Sequence, residues 1–134
     1  MLIQERIHSD PILEFLVEKA SMTKAQLATY LSHRYGEKEG LGLAEKIRLR
    51  NEKKVTKGAF LRTLKQARVK LQKAVWTLLL AEYLGLIAKD GLSAVVSAGE
   101  LLSRLEGRTL SEDAVTQVID ALVRTVNGIV GETS

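Results

Sequence analysis

A chain of 134 residues with 46% hydrophobic and 27% charged residues has material for both a core and a wetted surface, which excludes a disordered or fibrous protein. The absence of cysteine excludes disulfides, thiolate metal sites and thiol nucleophiles. The net charge of +4 hides a division: residues 1–33 carry three Lys/Arg against four Asp/Glu, residues 34–73 thirteen against four, and residues 74–134 four against eight. One strongly basic block in an otherwise neutral-to-acidic chain points to a localised polyanion-binding surface, with a merely solvated basic face as the plain alternative.

With one proline and few strand-type alternations, helix is the default along the whole chain. The first predicted helix runs from about Pro11 to Ala20, capped by Ser9 or Asp10, with Ile12, Leu13, Leu16 and Val17 as its apolar stripe. The second starts at Thr23 and ends near Tyr35. Thr23 and Gln26 match a capping box, Leu27, Tyr30, Leu31 and Arg34 recur at helical spacing, and Gly36 reads as the stop. Residues 36–42 read as a loop, and a short helix over Leu43–Arg50 turns Leu43, Ile47 and Ala44 inward. Asn51 to Val55 forms a turn.

Thr56 caps the longest predicted helix, which continues to about Leu84 before Gly85. In its first half Phe60, Leu61, Leu64, Ala67, Leu71 and Ala74 share one side, and Arg62, Lys65, Gln66, Val69 and Lys73 the other. Its second half is apolar on nearly all sides. Trp76, Leu80, Tyr83 and Ile87 form a second stripe that needs cover from later helices or from a second subunit. After a turn at 88–93, helices follow over about Ser93–Leu105 and from a Ser111 cap onward, the latter with Val115, Val118, Ile119, Leu122, Val123 and Val126 as its apolar face. From Gly128 the end is expected to fray. The fold class is therefore all-α: a helix-turn-helix-type helical bundle with one long central helix and a C-terminal helical pair. A helix-turn-helix-containing nucleic-acid-binding unit over 1–73 is joined to a packing or dimerisation unit over 74–134, with one compact domain formed by both as the alternative.

Residues 43–74 carry the functional signal. A short helix, a turn and a capped amphipathic helix are the layout of a helix-turn-helix, whose second helix enters the major groove. Arg62 and Gln66 lie one turn apart on the polar side, and these residue types grip guanine and adenine bidentately. Ala59 and Thr63 flank them and suit a thymine methyl. Thr56 and Lys57 sit at the helix N-terminus, where free N–H groups favour a phosphate. Lys53, Lys54, Lys65, Lys70 and Lys73 are phosphate candidates, and Arg48 and Arg50 project from the preceding helix and turn. Lysine and arginine on a helix often serve solubility alone. Here eleven basic residues and one acidic residue lie between Lys46 and Lys73 on a helix-turn-helix pattern. Arg68, close to the apolar side, is expected to pair with Glu14 or Glu18.

Val55, Thr56, Arg62, Ala67, Arg68, Lys70 and Leu71, in the pattern V-T-x5-R-x4-A-R-x-K-L, resemble the second helix-turn-helix of sigma-factor region 4 and related archaeal regulators. Residues 43–47, L-A-E-K-I, look like the supporting helix. The intervening RLRNEKK is longer and more charged than the usual tight turn. The resemblance implies that Thr56, Lys57, Ala59, Arg62, Thr63 and Gln66 face bases or phosphates.

Signs of catalysis are missing. His8 and His33 have no metal-type partner at i+3 or i+4, no P-loop or nucleophile elbow occurs, and G-L-G at 40–42 lacks a preceding strand. Glu112 and Asp113 are explained by helix capping, and Trp76 by a core. The expectation is a non-enzymatic, cytoplasmic, sequence-selective double-stranded DNA-binding protein. It would act in transcription regulation as a homodimer, with the transcription machinery as a further partner and no cofactor, metal or membrane. The N-terminus has no signal-peptide pattern, and Val75–Ala88 is interrupted by Glu82 and too short to span a bilayer. A helical adaptor or an RNA-binding component of a ribonucleoprotein using the same basic face are the rival readings.

Overall fold

Asp10 and Pro11 decide how the chain begins. In the computed structural model, which describes residues 2–50 and 55–131, α1 (Ile3–Ser9) precedes α2 (Pro11–Lys19). Asp10 ends the first and caps the second, its Oδ1 accepting from the N–H of Ile12 at 3.0 Å and of Leu13 at 3.1 Å. Pro11 at the first helical position loses no bond, because its missing donor would have been an orphan there. No periodic pattern in the sequence marks α1. Its seven residues commit only Ile7 fully to the interior, too little for a periodic signal.

Next, α3 (Lys24–Lys38) starts on the expected reciprocal cap. Thr23 Oγ1 accepts from the Gln26 N–H at 3.1 Å, and the Gln26 side chain accepts from the Thr23 N–H at 3.0 Å. The helix does not stop at Gly36 but runs through it to Lys38, and Gly40, with φ +71°, makes the turn instead. Its buried face is also not the expected one. Ala28, Thr29, Ser32 and Gly36 point inward, while Leu27, Tyr30 and Leu31 are half-buried and Tyr35 is exposed. This row of small residues lets a neighbouring backbone approach closely. The neighbour is α4 (Leu43–Arg50), which packs on α3 and also touches α1. In α4, Ile47 is buried, Leu43 half-buried and Ala44 exposed.

Further on, α5 (Lys57–Tyr83) begins where Thr56 Oγ1 accepts from the Ala59 N–H at 3.1 Å. Phe60, Leu64 and Ala67 are its buried residues, a stripe at i, i+4 and i+7. Leu61 and Leu71 remain substantially exposed. After Gly85, at φ +69°, come α6 (Gly91–Leu105) and α7 (Glu112–Val130), which pack on each other. Ser111 caps α7 by accepting from the Ala114 N–H at 3.1 Å. The helix continues through Gly128 and ends at Gly131, whose φ is +73°. Residues beyond it are outside those described.

The described residues form seven helices and no strand, an all-α chain. They divide into two compact units, Met1–Val75 and Trp76–Ser134. In the first, α1 packs against α2, α3 and α4, and Ile7, Ile12, Val17, Ala28, Ile47, Phe60, Leu64 and Ala67 make the apolar interior. In the second, Gly91 is the one described residue that is buried. No helix among the described residues is long and apolar enough to cross a membrane.

Candidate nucleic-acid interface

The first half of α5 is fixed by its buried stripe, and everything opposite follows from helical geometry. With Phe60, Leu64 and Ala67 turned inward, Arg62, Lys65, Gln66 and Lys73 fall on the outer side, and all four are exposed. Arg62 and Gln66 stand about 6 Å apart along the axis, one turn on the same side. No Asp or Glu occurs between Lys53 and Ala81, so the helix carries no acid of its own before Glu82. Among the described residues, no carboxylate pairs with Arg48, Lys57, Arg62 or Lys65.

The remaining candidates fall into distinct places. Lys57 is exposed in the first turn of α5, beside the exposed Thr56 whose hydroxyl is occupied by the cap. Ala59 and Thr63 are half-buried at the edge of the outer face. Arg48 is exposed on α4, and Arg50, half-buried at the end of the same helix, keeps a buried Nε without a hydrogen-bond partner among the described residues. Burial pulls the Arg50 guanidinium below its ordinary value. Lys53 and Lys54 lie outside the described residues. Lys70 is half-buried, and its ammonium donates to the carbonyl of Ser21, in the turn before α3. That cation ties α5 to its own domain instead of standing free for a ligand.

Behind this face sits a polar cluster that sequence reasoning missed. Arg68 reaches neither Glu14, which pairs with Lys24 at 3.3 Å, nor Glu18. Its Nη2 instead lies 3.1 Å from His33 Nε2 on α3. Lys46 of α4, 7% exposed, donates to Glu37 Oε1 at 2.7 Å and lies 3.4 Å from His33 Nδ1. Its aliphatic stem runs over Gly36, where a Cβ would stand 2.4 Å from Lys46 Cγ. Gly36 is therefore a packing glycine inside a helix, not a stop. Burial and the adjacent Lys46 and Arg68 cations hold the His33 imidazole below its usual value, against the smaller opposing effect of Glu37. The Lys46 hydrogen bond, then its charge, holds the Glu37 carboxyl below the ordinary carboxylate range. The i, i+4 spacing of His33 and Glu37 was a readable signal, whereas the arrival of Lys46 and Arg68 from two other helices left none.

Chemically, the outer face of α5 offers two planar bidentate groups, Arg62 and Gln66, among point charges, and no nucleophile or acid–base pair. Among the described residues there is no group of three His, Cys, Asp or Glu placed to hold a metal ion. No protein-family model, curated protein or solved structure matches this chain.

Proposed function

We propose that this chain binds double-stranded DNA sequence-selectively, with the first half of α5 in the major groove, in the service of transcription regulation. One observation carries the reading. Arg62, Lys65 and Gln66 are exposed together on the side of α5 opposite Phe60, Leu64 and Ala67, on a stretch that holds no acid. A major groove about 12 Å wide admits one α-helix, and the outer side of such a helix must carry base-reading groups flanked by cations. The resemblance of residues 43–74 to sigma-factor region 4 and related archaeal regulators supports the same placement. Arg62 and Gln66 are assigned to base edges, and Lys57, Lys65 and Arg48 to phosphates.

A gel-shift series with duplex DNA of selected sequence, unrelated duplex DNA and duplex RNA tests this. Arg62→Ala is expected to cost about 1–3 kcal/mol on the preferred sequence and to flatten the preference, whereas Lys65→Ala weakens all duplexes alike. Duplex RNA should compete poorly, because its deep, narrow major groove does not admit a helix. Equal effects of the two substitutions on every sequence would remove base reading by Arg62. Absence of duplex binding, or competition by RNA as strong as by DNA, would overturn the assignment.

A further inference from the structure

Among its described residues the unit formed by Trp76–Ser134 has a thin interior, with Leu102, Leu105, Val115, Val118, Leu122 and Ile129 only half-buried. Gly91 is its one described buried residue, packed where a Cβ would meet Ile87 at 2.4 Å and Ile129 at 3.2 Å. Ala88 donates its N–H to the Ile129 carbonyl at 2.8 Å, which closes the turn after α5 onto the end of α7. Beyond this, α6 and α7 pack on each other, and α7 buries no described residue fully. The second stripe of α5 stays open: Trp76 is 69% exposed, Leu80 58% and Tyr83 86%, with Leu79 beside them. On α7, Val126 and Val130 are likewise open, 57% and 62% exposed. Cover for the α5 stripe could come from this chain's own C-terminal helices or from another chain, and its own helices leave it bare.

We infer that a second copy of this chain covers these faces, so that the protein is a two-fold dimer joined through its Trp76–Ser134 units. The exposed apolar side chains of this unit amount to an area on the order of 1,000 Å². A stable pair buries about 800 Å² per partner, which exposure of this extent is large enough to supply. The stripes also suit pairing with themselves. No ionisable residue lies between Lys73 and Glu82, between Asp113 and Asp120, or between Arg124 and Glu132. A two-fold operation brings the same patch face to face, and here it sets no like charges opposite one another. Amphipathic helices with exposed apolar flanks complete a bundle when a second set packs on those flanks. The inference stands without DNA binding. If both hold, one dimer presents two reading helices to one duplex, which expects a target of two half-sites.

Trp76 is the sole tryptophan, so its fluorescence reports on the face in question. Light scattering after size exclusion, and a fluorescence dilution series, are run on the full chain without nucleic acid. The expected result is a mass of twice 14.8 kDa, with blue-shifted Trp76 emission that moves to the red as the dimer dissociates on dilution. Leu80→Glu and Val126→Glu should each give a monomer of unchanged helical circular dichroism. Should either variant unfold, the wild-type dilution series still decides. A 14.8 kDa monomer at every concentration overturns the inference. So does a dimer that keeps the emission of a water-exposed indole and its mass in Leu80→Glu, since its interface lies elsewhere. An emission shift that appears only with anionic lipid vesicles would assign the face to a membrane surface and overturn it as well. A dimer that binds no duplex would leave this inference standing while removing the DNA reading, so the two failures are separable.

Discussion

His33 receives Arg68 on one ring nitrogen and faces Lys46 across 3.4 Å on the other. A neutral imidazole has one acceptor nitrogen, and a protonated one has none. Protonation therefore removes the Arg68 bond and places a third cation beside two others. Glu37, 3.8 Å from His33 Nε2, compensates only in part because Lys46 already engages it. The folded state thus binds the His33 proton more weakly than the unfolded chain, whose imidazole titrates near 6.5. Between the lowered native value and 6.5 the unfolded state holds more protons, so stability rises with pH in that window. Stability is unaffected above the window and falls as pH drops below 6.5. Urea midpoints taken across this range should decline on acidification in the wild type and decline less in His33→Gln, which separates His33 from His8. Identical slopes in the two proteins would show that the cluster does not govern acid sensitivity. Of its partners only Glu37, one turn on, was legible in the sequence around His33, because Lys46 and Arg68 are 13 and 35 residues away.

At the scale of the element, α5 serves two masters, and its N-terminus separates them. Thr56 Oγ1 caps the helix through the Ala59 N–H, and loss of such a cap costs about 1 kcal/mol. The same residue is assigned to the phosphate-facing end of the helix. Thr56→Ala should lower stability by about 1 kcal/mol in urea unfolding, and Thr56→Asp should restore it, since aspartate is an equally good cap. On DNA the order changes: Thr56→Asp should bind worst, because it sets a carboxylate where a phosphate is expected. Recovery of DNA affinity by Thr56→Asp in step with stability would detach this helix end from the duplex. The legibility of elements follows from how local their causes are. The caps at Thr23, Thr56 and Ser111 were readable because capping joins neighbours three residues apart. The inward face of α3 was not, because Ala28, Ser32 and Gly36 are chosen for smallness against α4 and leave no hydrophobic period.

Across the whole molecule, charge and apolarity are sorted along the chain. Residues 34–73 hold thirteen of the twenty Lys/Arg, and residues 74–134 hold eight of the sixteen Asp/Glu. Binding to a duplex through the basic block releases counterions, with log affinity falling by about 0.9 per neutralised phosphate for each unit of log salt. If Arg48, Lys57 and Lys65 each neutralise a phosphate, the slope should be about −3 for each copy bound. A Kd titration over a tenfold salt range measures it. A slope near zero would mean that the basic block does not meet the polyanion.

What the sequence alone determined is the set of local causes: an all-α chain, the caps that start α3, α5 and α7, the uninterrupted α5 with its inward Phe60, Leu64 and Ala67, and the concentration of cations on the stretch around it. These depend on backbone hydrogen bonding and on periodicity within a few turns. The tertiary structure alone decided which cations stay available. Lys46, Arg68 and Lys70 are drawn to Glu37, His33 and the Ser21 carbonyl by packing of helices distant in sequence, while Arg62 and Lys65 are left facing water. It also decided that Trp76 and Tyr83 remain bare within their own unit, because whether an apolar face is covered depends on where other helices pass, which no local pattern encodes.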